Sequence, residues 1–246
     1  MNQRLGLLLL SFVLMGLDYG SGTPTVWGPP PVVEEGGGIT LTGCELVDDE
    51  SGGTSHDYTT GTLDISDGDL MVAFVGGDPS CTDIGIAGTW VEVVAFDDFQ
   101  GQPCGGLWYR EADSEGEDPT YTVSWTGSQK STGGICKITG HDSGDILDNH
   151  SANSGSGTAQ TSLSIAVDTG ALAMYIDLAD GYTTDVLTCP SGFVEDDDCW
   201  ILVGSSSGNV AVGVAWEIPD NPTGDQEWTL EPEDGYRAFA VSFNAE

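Results

Sequence analysis

The sequence predicts an all-β protein: two antiparallel sheets stacked as a sandwich of jelly-roll type, preceded by an extended N-terminal arm. Three observations carry this. Apolar and polar residues alternate through about a dozen short segments, 36 of the 246 residues are Gly, and no stretch sustains a helical period. Short strands joined by Gly, Asp, Ser and Pro turns are what such a pattern makes.

The segments run in order from Ile39. ITLTGCELV and YTTGTLDI alternate. GDLMVAFVGG holds a continuous apolar run, Leu70 to Val75, which marks a central strand buried on both faces. TWVEVVAF, GLWYREA, TYTVSWTGS and GICKITG complete the first half. TSLSIAV, ALAMYIDLA, CWILVGSS, NVAVGVAWEI, EWTLEP and YRAFAVSF make the second. DISDGDLMVAFVGG and AVDTGALAMYIDLADG share a layout of strand, turn and buried strand. Strands placed in facing sheets of one sandwich explain that echo, and no repeat fold is inferred. Residues 39–246 form one sandwich domain.

Residues 1–22 are a hydrophobic N-terminal segment. Leu5 to Leu17 is apolar apart from Ser11 and the glycines. As a helix it would span roughly 20 Å, against about 30 Å for a hydrocarbon core, so no membrane span is expected. The run fits two roles. Arg4 before a short apolar stretch matches a signal peptide, although the cleavage region offers only Gly20 and Gly22. A retained segment must instead be buried, and Leu7, Leu8, Leu9, Leu10, Phe12, Val13 and Leu14 would then dock into another chain. Residues 23–38, TPTVWGPPPVVEEGGG, read as a Pro/Gly linker, with Trp27 as a further anchor.

Five Lys and Arg stand against 40 Asp and Glu, a net charge of −35. That excludes nucleic acid and disfavours anionic membranes. It fits a soluble, mutually repelling surface in a salt-rich setting. Cys44, Cys81, Cys104, Cys136, Cys189 and Cys199 form no CxxC and have no His at zinc spacing, so disulfides in an oxidising compartment are expected. Fifteen pairings are possible. Cys81–Cys104 and Cys189–Cys199 each flank a turn-rich loop, which leaves Cys44–Cys136.

SDGDLMVAFVGG, TWVEV, GGLWYREADSEGEDPTYTVSWTGS and ICKITGHDSGDILDNHSANSGSGT follow one another in an order that resembles a β-sandwich domain recurrent in tailed-phage virion proteins and some secreted bacterial proteins. The resemblance covers roughly residues 39–246. It implies a structural role. The six Cys, Arg110 where Lys is usual, and the N-terminal run depart from it.

Residues that could carry chemistry are sparse. The sequence has no GxSxG elbow. His56, His141 and His150 read as surface loop residues. Glu92 beside Trp90 and Glu217 beside Trp216 are the best placed carboxylates for glycoside chemistry, yet strand alternation turns them to solvent. No enzyme is expected. Asp142, Asp145 and Asp148 fall within one loop, and Glu195 to Asp198 form a second acidic run; Ca²⁺ is the cation such oxygens would hold, though neither matches an EF-hand. No other cofactor is implied. Trp200 and Tyr182 lie near loops where a glycan could stack, and Asn149-His150-Ser151 is a glycosylation sequon.

The expected function is a non-enzymatic virion structural protein on the particle surface, a capsid decoration or fibre component. Its partners would be capsid or tail proteins and further copies of itself. The alternatives are a secreted carbohydrate-binding or adhesion module with a cleaved leader and a host-glycan ligand, and an extracellular filament subunit.

Overall fold

The computed structural model describes residues 25–27, 38–59, 63–77, 81–97, 102–113, 120–162, 164–181, 186–195, 197–202, 209–219 and 226–246. These are all-β and antiparallel. The strands are β1 (Thr25–Trp27), β2 (Thr40–Thr59), β3 (Leu70–Gly77), β4 (Thr82–Ile86), β5 (Val91–Phe96), β6 (Cys104–Glu111) and β7 (Thr120–Thr139) in the first half. The second half holds β8 (Leu147–Ser162), β9 (Leu172–Gly181), β10 (Val186–Thr188), β11 (Cys199–Leu202), β12 (Asn209–Glu217) and β13 (Gln226–Phe243). Sheet I has the order β1-β2-β7-β3-β6-β5, with β4 on β7; sheet II has β10-β13-β9-β12-β11, with β8 on β13.

The two sheets face each other across one apolar core. Leu70, Val72 and Phe74 of β3 meet Met174, Ile176 and Leu178 of β9, Val210, Val212 and Val214 of β12, and Phe239, Val241 and Phe243 of β13. Each such side chain contributes roughly 1.5–3 kcal/mol by leaving water. The expected jelly-roll winding is not found among the described strands. A jelly roll passes back and forth between its sheets; here β1–β7 build one sheet, β8–β13 build the other, and the crossing is residues 140–146.

Four strands are longer than the alternation suggested, because each continues through a bend. β2 and β7 pair from Thr40/Thr139 to Asp49/Ser131, slip register around Gly53, and pair again to Thr59/Thr120. The distal ribbon carries Tyr58, Tyr121, Val123 and Trp125 onto Met71, Ala73, Val75 and Trp108, the outer face of sheet I. β13 slips likewise between Thr229 and Asp234, and its Trp228 and Leu230 cover Ala173, Tyr175, Ala211 and Ala215 of sheet II. Both faces of β3 are therefore covered, which is why its residues are apolar without alternation.

The halves repeat one plan. Read from the edge, β2-β7-β3-β6-β5 with β4 on β7 matches β8-β13-β9-β12-β11 with β10 on β13. β3 and β9 open on the same turn, with Gly68 and Gly170 at φ 83° and 86° and amide-to-carbonyl bonds of 3.0 Å from Asp69 to Ser66 and from Ala171 to Asp168. Positive φ suits Gly because it lacks a Cβ. Gly106 and Gly213 hold equivalent places on β6 and β12, and a Cβ at either would overlap a Trp ring, Trp108 or Trp228. The sequence echo thus reflects strands β3 and β9 in facing sheets, as expected, and beyond that a duplicated strand plan that the sequence alone does not establish.

All three expected disulfides are formed: Cys44–Cys136 between β2 and β7, Cys81–Cys104 from β4 to β6, and Cys189–Cys199 beside β11. They point to an oxidising, extracellular or secreted environment. Buried Arg237 ties the sheets together: its guanidinium donates to the carbonyls of Pro103 (3.1 Å) and Asp97 (3.0 Å) and lies over Phe96. Leu7, Leu8, Leu9, Leu10, Phe12, Val13 and Leu14, expected to bind a partner, lie outside the described residues, while Trp27 ends β1, opposite Cys44 on the edge of β2.

Candidate functional site

An open crevice of about 780 Å³ lies at the end of the sandwich where β6 leaves sheet I. Tyr109, Arg110 and Glu111 form one wall. The Asp67–Gly68 turn, the 140–146 crossing and the C-terminal Glu246 complete it. The fold brings these together because β6 ends beside the start of β3, and the crossing returns past both. An isolated bridge from His141 to Ala245 and a hydrogen bond from the Glu246 amide to the Gly140 carbonyl fasten residues 245 and 246 there.

The centre of the crevice is a histidine–carboxylate pair. His141 is buried, and its Nε2 lies 2.9 Å from Oε1 of Glu111. A carboxylate accepts only, so the ring carries its proton on Nε2 and donates. Nδ1 is buried and has no hydrogen-bond partner. Ser143 lines the same crevice but makes no bond to the ring, so the pair does not extend to a nucleophilic triad. The Tyr109 phenol is pushed up by burial, then by the negative charge of Asp145, and the ring meets Phe243 edge-on at 6.0 Å. Arg110 lies 5.2 Å over the Trp90 ring. Asp67, Glu111, Asp113 and Glu246 outnumber Arg110, so the crevice repels anions.

The expectation of three surface loop histidines holds for none of them in full: two lie on strands and the third, on the crossing, is buried. His56 is on β2 with its ring edge-on to Tyr58 at 4.5 Å; His150 is an exposed residue of β8; His141 is a buried member of the crossing. Polar Gly/Ser/Asn composition masks β8, since it carries almost no strand signal.

The acidic loop is not assembled into a cation site. Asp142 Oδ1 accepts from the Gly144 amide (2.8 Å), and Asp148 Oδ2 accepts from the Asp168 amide (3.0 Å) and Ser242 Oγ (2.9 Å). Asp145 is exposed and supplies its carbonyl to Asn244 (2.8 Å). Among the described residues no group of three His, Cys, Asp or Glu could hold a metal ion. Asp198 caps the Val194 amide, and Glu195 bridges to Cys199.

Glu92 is exposed on β5, whereas Glu217 accepts from the buried Tyr175 hydroxyl at 2.9 Å, so the two carboxylates sit on different sheets and flank no common site. Trp200 is buried against Trp216 at 4.2 Å and belongs to the core; Tyr182 lies outside the described residues. Asn149 is half-buried and donates to the Ala166 carbonyl (3.3 Å).

Sequence reasoning missed Glu111 and Asp177. Nothing local marks Glu111, because its partner is 30 residues away. Asp177 was visible as a lone acid inside ALAMYIDLA. It is fully buried on the outer face of sheet II, its two oxygens have no hydrogen-bond partner, and burial alone pushes its carboxyl well up. Gln160 and Trp228 Nε1, paired across β8 and β13, are buried and unbonded in the same layer.

No protein-family model, curated protein or solved structure matches the chain. No helix among the described residues is long and apolar enough to cross a membrane, which says nothing of β-barrels. The fold and its three disulfides define the class: an all-β, two-sheet sandwich protein of an oxidising environment.

Proposed function

We propose that the chain is a non-enzymatic structural protein of a virion surface, docked through its N-terminal arm. One observation carries the reading: Thr25–Trp27 adds to the edge of sheet I, so the residues ahead of it leave from a point fixed on the body. A rigid block with a sheet-anchored apolar extension suits attachment. Three disulfides and a covered face on each sheet supply the rigidity, and the charge of −35 keeps neighbouring bodies apart. The resemblance of residues 39–246 to phage virion sandwiches supports the same reading. The acids best placed for chemistry also serve the fold: Glu217 holds Tyr175, and Asp148 holds Ser242.

The test is to remove residues 1–24, keeping β1, and to compare the product with the full chain. The truncated body is expected to stay folded and soluble by circular dichroism and to lose attachment to purified particles. Full-length mass recovered from those particles would support the arm. A mature form lacking about 22 residues, secreted and free of particles, would overturn it in favour of the exported adhesion module.

A further inference from the structure

We propose that Asp177 gates the distal ribbon of sheet II, a strap that lies closed on the sheet's outer face while this carboxyl is neutral and lifts from it when the carboxyl ionises. The strap is residues 226–230 of β13, paired with residues 159–162 of β8 and with β10. Beneath it Asp177, Gln160 and Trp228 are buried. Among the described residues, neither oxygen of Asp177, neither polar atom of the Gln160 amide, nor Trp228 Nε1 has a hydrogen-bond partner. The register brings the three together: Asp177 pairs with Gly213, the Trp228 ring lies on Gly213, and Gln160 pairs with Trp228. A settled native core rarely leaves such groups unbonded.

The duplicated strand plan shows that packing does not ask for an acid there. In sheet I, Val75 of β3 pairs with Gly106 of β6, and the Trp108 ring lies on Gly106. Val75 is therefore the counterpart of Asp177, and it is buried among apolar neighbours. One half fills this place with Val. The other fills it with an ionisable group that bonds to nothing, at a cost that only the neutral form keeps small.

The strap has what it needs to move alone. Its bend carries the register slip between Thr229 and Asp234 on β13 and Gly157 at φ 138° on β8, the kind of short irregular stretch that absorbs a hinge. Its Trp228 and Leu230 pack in the outer layer, apart from the inter-sheet core, so lifting it leaves that core shut. Among the described residues, the titratable groups sharing the outer face are Tyr175 and Glu217, and they bond to each other. β12 adds Ala211, Gly213 and Ala215 there, proximal β13 adds Ala240, and β10 adds Leu187. Arg237 pairs with Leu178 and turns to the other face, and Glu227 of the strap is exposed. Burial raises the closed carboxyl well above its ordinary value near 3.8, and lifting returns it to water. Between those two values opening releases a proton, so the open fraction grows about tenfold per pH unit. Below the lower value both forms hold the proton and the strap stays closed.

Native-state hydrogen exchange of the full chain, read residue by residue, tests this. The unmodified protein is compared with Asp177→Asn at each pH, so that the intrinsic pH dependence of exchange cancels. The amides of residues 228–230 and 160–161 should lose protection about tenfold per pH unit relative to the variant, while those of residues 72–75 in β3 keep theirs. Asp177→Val copies the side chain of the equivalent place in sheet I and replaces the Asn variant should that one misfold. Tyr175 is present in every form, so its own titration cancels too. If the strap amides of both proteins follow the same pH dependence, Asp177 is not the gate. If the β3 amides lose protection together with the strap, the whole sandwich opens and the strap does not exist.

Discussion

Breaking Cys44–Cys136 should cost this fold more than breaking either other disulfide. Both sulfurs are buried in the inter-sheet core, and the bridge joins adjacent strands 92 residues apart in sequence. Its main effect is on the unfolded chain, whose loop it closes. The Cys81–Cys104 bridge lies inside that loop; subtracting the 23 residues it encloses from 92 leaves about 69. Loop-closure entropy for about 69 residues is worth about 4.4 kcal/mol at 25 °C, against about 3.4 for a loop of 23 and about 2.7 for the 10 of Cys189–Cys199. The perturbation is Cys44→Ala with Cys136→Val, which keeps the site apolar and close to its volume. The assay is guanidinium unfolding at fixed salt, followed by Trp fluorescence, with each disulfide removed in turn. The midpoint should fall most for the Cys44–Cys136 pair, and the denaturant slope should rise because the unfolded chain expands. A larger loss on removing Cys189–Cys199, or no loss for the long bridge, would refute the loop argument.

Asp177→Asn should stabilise the protein as pH rises. A carboxyl whose folded pKa is raised contributes fully below its unfolded value, near 3.8, and loses that contribution as pH climbs towards the folded value. The amide loses nothing, so the two unfolding curves should coincide in acid and separate above it; a variant less stable at every pH would contradict this. Gly213→Ala should destabilise by roughly 1–3 kcal/mol, because the new methyl overlaps the Trp228 ring, and thermal melts would show it. Adding NaCl should raise the melting temperature, since screening relieves the repulsion of a −35 chain; a flat response would mean that the charges are already offset.

The all-β class was legible because packing and alternation are local: Leu70–Val75 showed a strand covered on both faces before any partner was known. Disulfide pairing was legible for a similar reason, since two of the pairs flank short loops. The bends were not. EWTLEP and YRAFAVSF look like two strands, yet both belong to β13, because a slip at Thr229–Asp234 turns one chain through two layers. β8 was hidden by its composition, as its place is set by β13 rather than by its own propensity. The crevice was illegible for a third reason: Glu111 and His141 meet only after β6 and the crossing are placed, and neither neighbourhood advertises the other.

Trp27 pairs with Cys44, and Cys44 is bonded through its sulfur to Cys136 at the middle of the sheet. A pull on the arm would load the three-residue β1 ladder first. Any force that ladder hands to β2 would pass through a covalent rivet into β7 instead of peeling the edge strand away. The body would hold its shape under tension, and the arm would be the part that lets go.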